Sequence, residues 1–193
     1  MGQYFMPILG DAYGMNCKVF NRTVDGKHTF AKIMEHSWWL NPFVNSFSKR
    51  IYKKKSRVCW VGDYACEDDF DFMTTTAFYK PCYRAVWGEG VRTISSKSVD
   101  FTLDGKFLLN HDTKEFIDLN EYKEKSRDKD GWTIHPLPLL TAVGNDRGSG
   151  DFHEGNVGFK NVGIWAWCLI SIADKIPKGY RKIDVVFKEE RIA

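Results

Sequence analysis

Asn41-Pro42-Phe43-Val44-Asn45-Ser46-Phe47-Ser48-Lys49-Arg50-Ile51, followed by Arg57-Val58-Cys59-Trp60-Val61-Gly62, is the stretch that decides the fold. Asn41 is a good N-cap, and Pro42 stands at the first helical position, where a missing N–H does no harm. Phe43, Phe47 and Ile51 recur every four residues with Val44 beside them, which predicts one buried stripe. Lys53, Lys54 and Lys55 close the segment, where positive charge suits a helix end. The run Lys49–Arg57 is therefore read as a helix terminus, with a nucleic-acid contact as the alternative. Arg57–Gly62 is apolar on both faces, as a central strand is. Together they predict an α+β fold, a mixed and mainly antiparallel sheet packed against this helix and one or two short helices. The expected core includes Phe43, Phe47, Ile51, Val58, Trp60, Val162 and Ile164.

Working outward, Tyr4–Leu9 reads as a strand, with Pro7 favouring an edge. Asp25-Gly26 is a turn signal after a second strand near Lys18–Asn21. A short helix is expected over about Thr29–His36. Further strands are expected at Tyr83–Trp87 and Val91–Ile94. Phe107–Asn110 and Glu115–Leu119 form a hairpin around His111-Asp112-Thr113-Lys114, and Asn120–Asp130 is a short helix or an exposed loop. His135-Pro136-Leu137-Pro138-Leu139-Leu140 is expected to be extended, because each proline restricts its neighbour. Val162–Ile172 reads as an apolar strand and Lys182–Phe187 as the last one. With no linker or repeat in view, residues 1–193 read as a single domain.

Composition narrows the class of protein. Hydrophobic residues make up 43% of the 193 and aromatic residues 15%, enough for a core without metal or disulfide support. The net charge of +3 permits an acidic partner without demanding one. No run nears the roughly 18 apolar residues of a membrane span. No leader is expected either, and Met6 stands where a myristoylation signal needs Ser or Thr. The five cysteines, Cys17, Cys59, Cys66, Cys82 and Cys168, contain no C-x-x-C pair and read as free thiols of a cytoplasmic protein.

The strongest chemical anomaly is Gly144-Asn145-Asp146-Arg147-Gly148-Ser149-Gly150-Asp151. Its glycines allow left-handed backbone and inward-turned N–H groups, and Arg147 offers a fork for phosphate or carboxylate oxygens. An anion cradle made by Asp146, Arg147, Gly148, Ser149, Gly150 and Asp151 is one reading, and a plain polar connection is the other. No Walker lysine follows, and no nucleophile elbow is formed around Ser149. Asp151 and His153, with Asp146, Glu154 and His135, are candidates for a metal site without matching a stringent motif. Trp38 and Trp39, beside Glu35-His36, read as core packing or as a surface on which a base stacks. Cys59 and Cys168 read as core thiols and His111 as a turn residue.

Met1-Gly2-Gln3-Tyr4-Phe5, Met34-Glu35-His36-Ser37-Trp38, Asn41-Pro42-Phe43-Val44, Val58-Cys59-Trp60-Val61-Gly62-Asp63-Tyr64-Ala65, Leu109-Asn110-His111 and Ile134-His135-Pro136-Leu137-Pro138-Leu139-Leu140-Thr141, with the glycine loop, resemble a group of phage and Firmicute proteins that begin Met-Gly-Gln-Tyr. That group carries Gly where this chain has Asp146 and Ser149. The resemblance implies a phage-linked accessory protein, of a kind that often counters host defence. Three functions follow as expectations. The first is capture of a small anionic, nucleotide-like ligand by Arg147 and the loop amides, with Trp38 or Trp39 stacking. The second is inhibition of a host defence protein or its RNA through the aromatic and basic surface near Lys49–Arg57. The third is metal-dependent hydrolysis by Asp146, Asp151 and His153. No cofactor is indicated, and whether the chain is an enzyme stays open at the level of sequence.

Overall fold

A computed structural model describes residues 3–12, 17–28, 32–63, 65, 93–144 and 152–189. Among them ten strands form one mixed, mostly antiparallel sheet. They are β1 (Phe5–Gly10), β2 (Lys18–Val24), β3 (Lys27–His28), β4 (Ser56–Gly62), β5 (Thr93–Ser96), β6 (Phe107–Asn110), β7 (Glu115–Asp118), β8 (Ala142–Val143), β9 (Leu169–Ala173) and β10 (Arg181–Lys182). Their order is β10-β7-β6-β9-β4-β1-β2-β3, with β5 on β2 and β8 on β4. The helices among these residues are α1 (Ile33–His36), α2 (Pro42–Ile51), α3 (Leu119–Ser126) and α4 (Pro136–Leu140). This is the α+β class expected.

β4 is the central strand, and its alternation divides two cores. Val58 and Trp60 enter the larger cluster with Phe43, Val44, Phe47 and Ile51 of α2. Cys59 and Val61 enter a smaller one with Met6, Ile8, Val143 and Trp167. A strand covered on both faces must be apolar on both, which is why its sequence does not alternate. Phe47 is the hub of the larger core, with ring centroids 5.0 Å from Phe20 and 4.7 Å from Trp60. The Asn41 side chain accepts a 2.9 Å bond from the Phe43 N–H, so the predicted cap is formed.

Local turn chemistry held where it was strongest. Asp25 and Gly26 have φ of 50° and 76°, the paired left-handed angles of a two-residue hairpin joining β2 to β3. β6 and β7 pair from Phe107↔Asp118 to Asn110↔Glu115, around the expected four-residue loop. Asp118 caps α3 by accepting from the N–H groups of Asn120 and Glu121.

Several expectations are corrected. Pro7 lies on an interior strand, between β4 and β2. The Trp60 N–H turns to the Thr141 carbonyl, so the Pro7↔Trp60 pair exchanges no backbone bonds. The proline nitrogen therefore faces the β2 side, where pairing stops at Ile8↔Val19. Residues 136–140 are helical rather than extended. The His135 Nδ1 accepts a 3.1 Å bond from the Leu137 N–H, and both prolines occupy the first turn, whose N–H groups have no intrahelical partner in any case.

α2 ends at Ile51, short of the lysines, because Lys53 turns left-handed at φ 57° and donates its N–H to the Ile172 carbonyl. The strand expected over 162–172 begins only at Leu169, since Gly163 and Trp167 are left-handed. Val162 is accordingly half-buried, packed against the edge of the main core, and Ile164 is 46% exposed and outside it. The last strand is limited to Arg181–Lys182. Tyr83–Trp87 lies outside the described residues.

Cys59 and Cys168 are free, and burial pushes both thiols up. Cys17, by contrast, is disulfide-bonded. The expectation of five free thiols is therefore corrected at Cys17. Among the described residues no helix is long and apolar enough to cross a membrane.

Candidate functional site

β4 and β8 run parallel in the register Trp60↔Ala142 and Val61↔Val143, so Gly62 and Gly144 leave the sheet side by side. On the other edge of β4, β1 sets Phe5 opposite Gly62 and brings the residues before it to the same place. Tyr4 and Asp63 clamp the crossing. The Tyr4 N–H donates to the Asp63 carboxylate at 3.0 Å, and the Asp63 N–H donates to the Tyr4 carbonyl at 2.9 Å.

Gln3 is thereby folded over both glycines. A Cβ on Gly62 would stand 2.6 Å from Gln3 Cδ and Nε2, and one on Gly144 would stand 2.8 Å from Nε2. Gly144 also has φ +92°, so a side chain is excluded there by backbone as well as by space. The Gln3 side chain is fully buried, yet neither Nε2 nor Oε1 has a hydrogen-bond partner among the described residues. An amide stranded in this way costs about 1–3 kcal/mol, and buried polar groups in folded proteins are rarely left so without a reason. The Gln3 amide presents two N–H donors and a carbonyl acceptor.

Gly144 is the root of the glycine loop. Asp146, Arg147, Gly148, Ser149, Gly150 and Asp151 themselves lie outside the described residues. Gln3 went unnoticed in the sequence because its setting depends on residues near 62 and 144. The signal was present in three separate places, Gln3-Tyr4, Gly62-Asp63 and Gly144, which meet here.

The other candidates lie apart from this point. Trp39 stacks on Tyr122 and on His135, at centroid distances of 6.4 and 5.4 Å. Trp38 packs edge-on against Trp132 at 5.7 Å. Both belong to the N-terminal end of α4, whereas Gly144 follows its C-terminal end. His153 is exposed and its Nδ1 accepts from the Gly155 N–H. His135 is sealed in the core, where burial holds its pKa down to about 3. Among the described residues no three His, Cys, Asp or Glu side chains are grouped to hold a metal.

His111 does more than make a turn. Its Nδ1 bonds the Tyr180 hydroxyl at 2.6 Å and its Nε2 bonds the Ser171 hydroxyl at 2.7 Å. Burial, then the nearby Lys55 charge, lowers its pKa to about 4, so the ring is neutral at pH 7. The basic run is largely used within the chain. Lys49 lies over the Tyr52 and Phe101 rings, Lys53 pairs with Asp174 at 2.7 Å, and Arg57 pairs with Asp112.

Compared with known proteins, the chain matches no family model, no curated protein and no solved structure.

Proposed function

We propose that the chain is a binding protein that captures a small anionic, nucleotide-like ligand where the glycine loop leaves the sheet. The observation that carries this reading is the Gln3 amide, buried and without a hydrogen-bond partner among the described residues at the root of that loop. Arg147 and the amides of Gly148, Ser149 and Gly150 would take the charged group. Gln3, with a donor and an acceptor side by side, suits the edge of a base or an amide. A role as a phage-linked anti-defence accessory protein rests on the resemblance of the quoted stretches.

The test is calorimetry against mono-, di- and cyclic nucleotides. The wild-type chain should bind at least one of them. Arg147→Ala should weaken that binding about ten- to a hundred-fold by removing a charge-assisted contact. Gly148→Val should weaken it by resisting left-handed backbone. If the wild-type chain binds no member of the panel, the reading fails.

A second reading, a docking surface for a host defence protein or its RNA, is favoured by a different observation. Leu40 is 65% exposed and held at φ +67°, and Trp132, 54% exposed, packs on Trp38 nearby. Strained backbone at an exposed leucine is a recurrent sign of an interaction site.

A further inference from the structure

We infer that the lysines gathered around Tyr52 form a docking face for the phosphate backbone of a nucleic acid. Tyr52 follows α2 and is bridged to Ile172 of β9, and Phe101 lies against it at a centroid distance of 5.2 Å. Three parts of the chain bring lysines here. Lys49 comes from α2, Lys53 from the turn after it and Lys106 from the position before β6. Their ammonium groups stand 5.3, 4.8 and 5.2 Å from the centre of the Tyr52 ring. Those of Lys49 and Lys106 also stand 5.0 and 5.8 Å from the centre of Phe101.

Three like charges around one ring meet a single carboxylate. Asp174 pairs with Lys53 at 2.7 Å and with Lys106 at 3.4 Å, and it accepts from the Tyr52 hydroxyl. Lys49 is in no ion pair among the described residues. Nor are Lys54 and Lys175, exposed next to Lys53 and Asp174 in sequence. Asp104, two residues before Lys106, is turned to Lys123 instead. The rings attract each ammonium without cancelling its charge. Five lysines with one paired carboxylate, on a chain whose net charge is +3, make a local excess that costs repulsion and that an outside anion relieves.

The layout selects the anion. The lysines are spread over a surface rather than around a hollow, so one small ion does not reach them all, whereas successive phosphates of a strand do. Lysine acts on a backbone as a point charge, and both rings are overlain by ammonium groups rather than left open for a base to stack. Binding should therefore be independent of sequence and fit a duplex. The face goes beyond the glycine-loop reading and does not rest on it. Residues 52–55 precede β4, whereas Gly62, beside Gly144, ends it.

The experiment is fluorescence anisotropy of the full chain with short labelled duplexes of DNA and of RNA, over a series of salt concentrations. The wild type should bind a given duplex and its shuffled sequence alike. Affinity should fall with salt, with a logarithmic slope of about 0.9 per phosphate neutralised. Lys49→Gln and Lys175→Gln should each weaken binding and make that slope shallower by about one. Neither lysine has an ion pair to lose, so the melts of both variants should match the wild type. Lys160→Gln, exposed in the turn at Phe159–Asn161 and outside this face, should bind as the wild type does. Arg147→Ala should too, which separates failure here from failure of the glycine-loop reading. The tighter of the two duplexes identifies the nucleic acid. Displacement by polyglutamate as readily as by unlabelled duplex would mark an acidic protein as the partner and overturn the inference. So would no binding at low salt, or an unchanged slope in both lysine variants.

Discussion

The indole N–H of Trp60 donates a 3.0 Å hydrogen bond to Nε2 of His36, inside the main core. The two rings stack at 24°, and Phe43 meets His36 edge-on. A ring nitrogen that accepts carries no proton, so His36 is held as the tautomer protonated on Nδ1. Trp60→Phe should therefore cost more than volume. Stranding the His36 acceptor alone amounts to about 1–3 kcal/mol, to be read as a lowered urea midpoint at unchanged m. A midpoint within error of the wild type would show that the bond contributes nothing net.

Gln3→Met keeps the length of the side chain and removes an amide that has no hydrogen-bond partner among the described residues. The ligand-free variant should be more stable by about 1 kcal/mol, since the desolvation cost of the amide disappears. Nucleotide binding should fall at the same time. Stability and binding moving in opposite directions is the signature of a functional residue; a drop in Tm would mark Gln3 as structural.

Phe47→Ala should cost about 3–5 kcal/mol, as expected for a fully buried ring, because both Phe20 and Trp60 lean on it. Chemical denaturation would show it directly.

Stability should also fall with acid in a definite window. His111 and His135 are held down to about 4 and about 3, against about 6.5 in an unfolded chain. Below pH 6.5 the unfolded chain binds more protons than the folded one, so stability is full above that pH and declines as pH drops toward 4 and then 3. His135 contributes the larger share, because His111 is only half-buried. His135→Asn keeps an acceptor at the cap of α4 and cannot titrate, so its urea midpoint should decline less between pH 6.5 and 4.

The disulfide at Cys17 is open to a thiol titration. Fewer than five of the cysteines should react in denaturant before reduction, and all five after it. Five reactive thiols without reductant would show that Cys17 is free.

What could be read from sequence was what neighbours in sequence decide. The cap, proline and stripe of α2 lie within eleven residues, and the β6–β7 and β2–β3 turns are specified by the residues inside them. The helix at Pro136–Leu140 was hidden because its prolines look the same in extended chain, and only the capping bond from Leu137 to His135 distinguishes the two. The run after Val162 was apolar enough for a strand. Its turns at Gly163 and Trp167 follow from where Leu139, Leu140 and Val58 offer carbonyls. Gln3 required residues 3, 62 and 144 at once, and no local pattern contains all three. The glycine loop was visible as an anomaly, and the structure adds the setting of its first residue, Gly144.

β4 has a consequence for how the chain comes to be folded. Its ladder partners are residues 5–10 on one edge and 142–143 and 169–170 on the other. Contacts so distant in sequence close slowly, because a long loop must be ordered before any of them is rewarded. During synthesis Val58-Cys59-Trp60-Val61 emerges more than eighty residues ahead of Ala142, and until then one edge of the strand has no mate. A nascent chain in that state presents an unpaired apolar edge, the substrate that chaperones hold and aggregates recruit. Yield in a host cell should therefore depend on how quickly the last quarter of the chain is delivered.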